Sequence, residues 1–165
     1  MTTGTTENSG EAQARRLESV SEQLTTLLHR PEAARRLRAT PGENEWSAMQ
    51  VLGHLVEMIP YWLSSCRALI ASTAGAPPFG RTLESPERLA GPERGAAGEA
   101  DELLRRLNEE VQAAARAIRQ MSAVERGKKG IHVRRGEMTV ADVVEIFIVT
   151  HAEEHLAQVR ATLQT

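Results

Sequence analysis

The sequence predicts an all-α protein, a four-helix bundle with a long crossover between helices two and three. Three observations carry this prediction. Apolar residues recur at helical spacing in four stretches of the 165-residue chain. Aromatic residues make up only 3% of the chain, whereas Ala, Glu, Arg and Leu, which favour helices, are abundant. No stretch shows the two-residue alternation of a half-buried strand.

The helices are predicted, in order, at about residues 11–29, 47–71, 99–121 and 139–163. The polar residues 1–10 are expected to be a disordered lead, and residues 11–165 to form one domain. Ser47 and Gln50 have the pattern of a capping box at the start of the second helix, and Thr139 opens the fourth helix in a similar way.

The segment 72–98 is rich in Gly, Pro and charged residues. We expect a crossover without regular structure, except for one turn after Pro86. Crossovers of this length are uncommon and are usually functional or mobile. Its apolar residues Pro77, Pro78 and Phe79 are expected to be exposed, and they are a candidate contact for a homodimer.

Composition and charge narrow the classes of function. The net charge of −2 gives no electrostatic reason to expect a nucleic-acid partner. A single cysteine, Cys66, excludes an internal disulfide and suits a reducing compartment. The N-terminus has no apolar stretch typical of a signal peptide or membrane span. We therefore expect a cytoplasmic protein with a small-molecule substrate and no membrane partner.

Two of the five histidines, His151 and His155, lie four residues apart in the predicted fourth helix. At that spacing they differ by about 40° of rotation and about 6 Å of rise, so both lie on one face. The same face carries the apolar residues Phe147 and Ile148. Burying two imidazoles without a partner costs desolvation energy, and a divalent metal ion bound to both would offset it.

A third histidine, His54, lies on the apolar stripe of the second helix. Gly53 beside it lacks a side chain, which indicates close approach of another backbone or a ligand. A set of one histidine from one helix and two from another leaves a coordination position open, as in catalytic metal sites. The alternative is that all three are hydrogen-bonded core residues without a metal.

Two longer motifs resemble the DinB/YfiT-like superfamily: ENEWSAMQVLGHLVEM, and RRGEMTVADVVEIFIVTHAEEHLAQVR. The resemblance covers roughly residues 17–163. It implies a four-helix bundle that binds one divalent metal ion, which is nickel, zinc or iron in different members. By motif position the ligands are His54, His151 and His155. Members include bacillithiol-dependent thiol transferases and mycothiol-dependent isomerases.

The hypothesis for function is a metal-dependent enzyme that transfers a low-molecular-weight thiol to an electrophilic small molecule. A cation with an open coordination position lowers the pKa of a bound thiol or water. Two alternatives stay open: a metal-dependent hydrolase, and a non-catalytic bundle that binds a metal or a small ligand.

Three side chains are candidates for assisting catalysis. Glu57 is three residues from His54 and is expected to orient an imidazole or accept a proton. Tyr61 is seven residues from His54, almost in line with it, and Glu154 is adjacent to His155. The alternative for each is an ordinary solvated carboxylate or amphipathic aromatic residue.

The basic segment before the fourth helix supplies candidates for binding the thiol cosubstrate. His132 precedes the Gly-Glu entry to that helix, and some relatives carry a histidine near it. Arg134 and Arg135 are expected to bind the carboxylates of a peptide thiol. The alternative is a solvated loop without a ligand.

Overall fold

The computed structural model describes residues 9–164. Four long helical segments form the bundle: residues 10–28, 48–71, 100–120 and the continuous run 140–164. The helices are α1 (Gly10–Leu28), α2 (Ala48–Ala71), α3 (Pro86–Ala97), α4 (Ala100–Gln120), α5 (Ala123–Arg126), α6 (Val140–Val143) and α7 (His151–Gln164). Helix α1 packs on α4 and α7, and α2 packs on the same two helices. The prediction of an all-α bundle is confirmed, and within residues 9–164 no helix is long and apolar enough to cross a membrane.

The predicted helix starts depend on local capping and agree with the structure. Ser9 Oγ accepts a hydrogen bond from the Ala12 amide at 3.2 Å, so α1 begins at Gly10, one residue earlier than predicted. The rest of the predicted lead, residues 1–8, lies outside the described residues. Ser47 Oγ accepts from the Gln50 amide at 3.2 Å, and the Gln50 side chain accepts from the Ser47 amide at 2.8 Å.

The core is built from aliphatic residues, as the composition predicts. Helix α2 runs through its centre, and Leu52, Leu55 and Met58 are almost fully buried. Burying a side chain of this size stabilises the fold by about 1.5–3 kcal/mol. Because α2 is surrounded by other helices, His54 on the same helix is also removed from solvent.

The predicted irregular crossover contains a helix, and that part of the prediction is wrong. Helix α3 packs along α2 through three glycines. A Cβ atom on Gly53 would lie 2.2 Å from the Gly91 carbonyl oxygen and 2.6 Å from the Gly95 amide nitrogen. Gly53 therefore marks a close approach of another backbone, as expected. The glycines that suggested a loop are what allow α3 to lie this close to α2, and Pro86 is accommodated at the start of that helix.

A small three-stranded sheet, which the sequence did not indicate, covers one end of the bundle. Its strands are β1 (Pro78–Phe79), β2 (Lys129–His132) and β3 (Gly136–Thr139). Strand β1 pairs with β2 in parallel, and β2 pairs with β3 antiparallel. These strands are too short to show a period, and β1 and β2 are far apart in sequence. Phe79 is half-buried against His132, with ring centroids 5.3 Å apart, rather than exposed as expected.

The predicted fourth helix is interrupted by a π-helical segment, Val144–Thr150, between α6 and α7. Glu145, in this segment, accepts hydrogen bonds from Gln13 Nε2 and Arg16 Nη1, both at 2.9 Å. It also accepts one from Thr150 Oγ1 at 3.2 Å. The contacts with Gln13 and Arg16 tie the wider turn to α1. Such turns occur frequently at functional sites, and this one immediately precedes His151.

Candidate metal centre

Three histidines from two helices converge at the centre of the bundle. The His151 Nε2 atom lies 3.2 Å from His54 Nε2 and 3.0 Å from His155 Nε2. One nitrogen from each ring lies within 4.8 Å of the other two. His54 comes from α2 and is 2% exposed, while the α7 pair is half-buried. The spacing of four residues places the α7 pair on one face, as predicted.

Hydrogen bonding between the rings cannot satisfy all three. A ring nitrogen carries either one hydrogen or one lone pair. His151 Nε2 therefore cannot bond fully with both of its neighbours. His155 Nδ1 lies 2.8 Å from Gln158 Oε1, and because an amide oxygen only accepts, Nδ1 is the protonated nitrogen. His155 Nε2 then presents a lone pair to the cluster, as a metal ligand requires.

The donor set fits a divalent ion. At a metal–nitrogen distance of about 2.1 Å, neighbouring ligand nitrogens are about 3.0 Å apart in octahedral and about 3.4 Å apart in tetrahedral geometry. The two shortest separations here, 3.0 and 3.2 Å, lie within this range. Imidazole ligands suit zinc, nickel and iron. One feature is unusual for a metal ligand: His54 Nδ1 is buried without a partner among the described residues.

The surroundings keep the three rings neutral. Burial, and then the other two histidines, lower the pKa of His54 to about 2. Burial chiefly lowers the pKa of His151 to about 4, and the pKa of His155 is also lowered, again mainly by burial. The positive charge of Arg88 acts in the same direction on all three. Neutral imidazole is the form that binds metal ions.

The metal-free protein should lose stability as the pH falls. The unfolded chain takes up protons on its histidines near the ordinary pKa of 6.5, whereas folded His54 and His151 do so only near about 2 and about 4. Below pH 6.5 the unfolded state therefore binds more protons than the folded state. The free energy of unfolding consequently decreases as the pH is lowered. Urea unfolding with a chelator between pH 7.5 and 5 measures this slope. In His54→Gln the change of unfolding free energy with pH should be smaller by up to about 1.4 kcal/mol per pH unit. An unchanged slope would contradict a buried, neutral His54 in the folded protein.

A cavity of about 350 Å³ opens beside the histidines. His54 and His151 form part of its wall, whereas His155 does not line it and is stacked near Trp46, with ring centroids 6.0 Å apart. The other lining residues are Met58, Trp62, Arg81, Thr82, Leu83, Arg88, His132, Arg134, Arg135 and Phe147. The cavity gives a small molecule access to two of the three candidate ligands.

The structure does not bring the predicted catalytic residues to this cavity. Glu57 accepts two hydrogen bonds from Arg81, at 2.5 and 2.7 Å, and both side chains are 9% exposed. It is thus committed to an ion pair rather than available as a base. The Tyr61 ring lies under the same guanidinium, whose Cζ is 3.8 Å from the ring centroid. Glu154 is exposed on the outer face of α7.

The predicted cosubstrate residues do line the cavity. His132 is 6% exposed, and its Nδ1 accepts hydrogen bonds from the backbone amides of Arg134 and Arg135 at 3.1 and 3.2 Å. Arg81 and Arg88 also line the cavity but were not predicted, because the crossover that carries them was expected to be irregular. The only sequence signal for them was positive charge in that long segment.

The fold and the site together define a helical bundle with a candidate mononuclear metal centre at the head of a cavity. The chain belongs to the DinB superfamily, whose family model matches residues 11–159. This confirms the resemblance seen in the two motifs.

Among solved structures, the chain is similar to YfiT from Bacillus subtilis, described as a probable metal-dependent hydrolase with an unusual four-helix bundle topology. The TM-score is 0.80 at 14% sequence identity, and the match covers 99% of this chain and 91% of that one. At this identity the likeness establishes the fold. No curated protein matches the chain in sequence.

Proposed function

We propose that this chain is a metal-dependent enzyme whose divalent ion (nickel, zinc or iron) is held by His54, His151 and His155. The observation that carries the proposal is the convergence of three Nε2 atoms, which the rings alone cannot satisfy by hydrogen bonding. The similar protein YfiT, described as a probable metal-dependent hydrolase, supports a metal in this fold. His54 and His151 line the cavity, so an ion held by them would be accessible to a small molecule bound there.

We further propose that the reaction transfers a low-molecular-weight thiol to an electrophilic small molecule. A divalent ion at this site would lower the pKa of a thiol or water bound to it. Both nucleophiles must lose a proton, but a thiol, with an ordinary pKa of about 8.5, does so more readily than water, with a pKa of about 15.7, and depends less on a separate base. No carboxylate lines the cavity among the described residues, Glu57 is paired with Arg81, and His132 Nδ1 already accepts two hydrogen bonds. This arrangement favours thiol transfer over hydrolysis.

The test is thiol conjugation by protein loaded separately with nickel, zinc or iron. Glutathione, bacillithiol and mycothiol are each offered with the electrophile monochlorobimane, and adduct formation is followed by fluorescence. We expect one thiol to react at least about tenfold faster with loaded than with chelator-treated protein. Metal-dependent hydrolysis of an ester panel without thiol transfer would identify a hydrolase instead. Bound metal with neither reaction would indicate a non-catalytic binding protein.

A further inference from the structure

The wall of the cavity carries an excess of positive charge. Four arginines line it: Arg81, Arg88, Arg134 and Arg135. Of these four, only Arg81 forms an ion pair with a carboxylate of the described residues, that of Glu57. The chain as a whole has a net charge of −2, so the excess is local. Three neutral histidines contribute nothing to offset it, and a bound divalent ion would increase it.

Arg88 places part of this charge next to the histidines. It projects from α3, is half-buried, and lines the cavity together with His54 and His151. Its Nη1 donates to the Leu83 carbonyl oxygen at 3.0 Å, and its Cζ lies 5.9 Å from the Trp46 ring. The Arg88 guanidinium would repel a divalent ion held by the histidines, because no carboxylate lines the cavity among the described residues. An anion bound between the two positive charges would offset this repulsion.

Arg134 and Arg135 are held by the turn between β2 and β3. The His132 ring accepts hydrogen bonds from both of their backbone amides, and Phe147 stacks on that ring with centroids 4.8 Å apart. The Cζ atom of Arg135 lies 5.3 Å from the Phe147 ring. His132 is therefore a positioning residue for the two arginines, which present guanidinium groups suited to paired contacts with an oxyanion.

The remaining wall is apolar. Trp62 and Phe147 line it and stack on each other with ring centroids 4.2 Å apart. Met58 and Leu83 complete this surface. The volume of about 350 Å³ is at the lower end of the range for small-molecule sites. Such a wall suits a small apolar group better than a polar peptide thiol.

We propose that the electrophilic substrate is a small organic acid with an apolar body. Its oxyanion, a carboxylate or phosphate, binds Arg88, Arg134 and Arg135, and its body lies against Trp62 and Phe147. This rests on the proposed function, because it assigns the second reactant of that same site. It assigns the arginines to the electrophile rather than to the thiol.

The test compares matched probes by calorimetric titration into the full-length protein, both metal-free and nickel-loaded. The probes are trans-cinnamate, its neutral amide cinnamamide, phenyl phosphate and glutathione. We expect one of the two acids to bind at least about tenfold more tightly than cinnamamide, because a paired guanidinium–oxyanion contact contributes about 1.4 kcal/mol or more. Cinnamate against phenyl phosphate distinguishes the two oxyanions.

Variants then locate the binding. Arg88→Gln and the double variant Arg134→Gln/Arg135→Gln should each weaken binding of the acid about tenfold and leave cinnamamide unchanged. Arg88→Lys, which keeps the charge, should retain part of the affinity, and its melting temperature checks the fold. Arg116→Gln is the matched control, because Arg116 is exposed on α4 and does not line the cavity.

Three outcomes would overturn the proposal. They are no saturable binding of either acid to metal-free or nickel-loaded protein, acid binding that none of the arginine substitutions weakens, and tighter binding of glutathione than of both acids. Metal content, measured on the same samples, separates the two proposals. Arginine-dependent acid binding by a protein that takes up no metal would refute the metal-dependent function alone. Normal metal content, with acid binding that is unaffected by the arginine substitutions, would refute the substrate class alone.

Discussion

Replacing His151 with alanine is expected to abolish metal binding while leaving the bundle folded. His151 is the central member of the cluster, with its Nε2 3.2 Å from that of His54 and 3.0 Å from that of His155. Two separated imidazoles bind a divalent ion far more weakly than three. Plasma mass spectrometry should show about one equivalent of metal in the wild type and less than about 0.1 in the variant.

The matched control is His29→Ala. His29 follows α1 as its C-cap, is exposed, and contacts Asp101 with its Nε2 3.0 Å from the carboxylate. It should keep full metal content, and both variants should retain the wild-type circular dichroism spectrum. Full metal occupancy in His151→Ala would show that the three-histidine site does not exist as described.

Replacing Gly53 with alanine is expected to destabilise the protein by about 2–3 kcal/mol. Alanine has the higher helix propensity, by about 1 kcal/mol, so an exposed position would gain stability. At this position, however, the new Cβ would lie 2.2 Å from the Gly91 carbonyl oxygen and 2.6 Å from the Gly95 amide nitrogen. Both are backbone atoms, which cannot move aside as a flexible side chain can, so α3 must move away from α2.

Urea unfolding of the metal-free protein measures this loss. Gly75→Ala is the control, because nothing lies within 4 Å of a Cβ added there. It should change the free energy of unfolding by less than about 0.5 kcal/mol. The Gly53 variant should also bind anions more weakly, since α3 carries Arg88. A Gly53→Ala protein as stable as the wild type would mean that α3 does not pack on α2 as described.

The parts of the fold encoded by neighbouring residues could be predicted from the sequence. The capping box at Ser47 involves residues three apart, and the His151–His155 pair depends only on helical spacing. His54 could be added because it lies on an apolar stripe, which indicates the buried face of a helix.

The parts that depend on distant contacts could not. Helix α3 is rich in Gly and Pro, and it is stable because α2 offers a glycine at the contact. Strand β1 has two residues and exists through pairing with β2, about fifty positions away. Glu57 was expected to act beside the metal, because the sequence did not reveal that the segment carrying Arg81 would bring an ion-pair partner to it. Of the four arginines that line the cavity, only Arg134 and Arg135 were therefore predicted.

The π-helical segment Val144–Thr150 sets the rotation of α7 about its axis. A hydrogen bond from residue i to i+5 encloses one residue more than the bond of a regular α-helix, so the segment absorbs an extra residue. If the same residues formed a regular α-helix, α7 would turn by about one residue, about 100°, relative to α6. His151 and His155 would remain four apart in the sequence but would point away from His54. The orientation of two of the three candidate ligands therefore depends on helix type, and a related chain with one residue fewer there would present the same histidines from a regular helix.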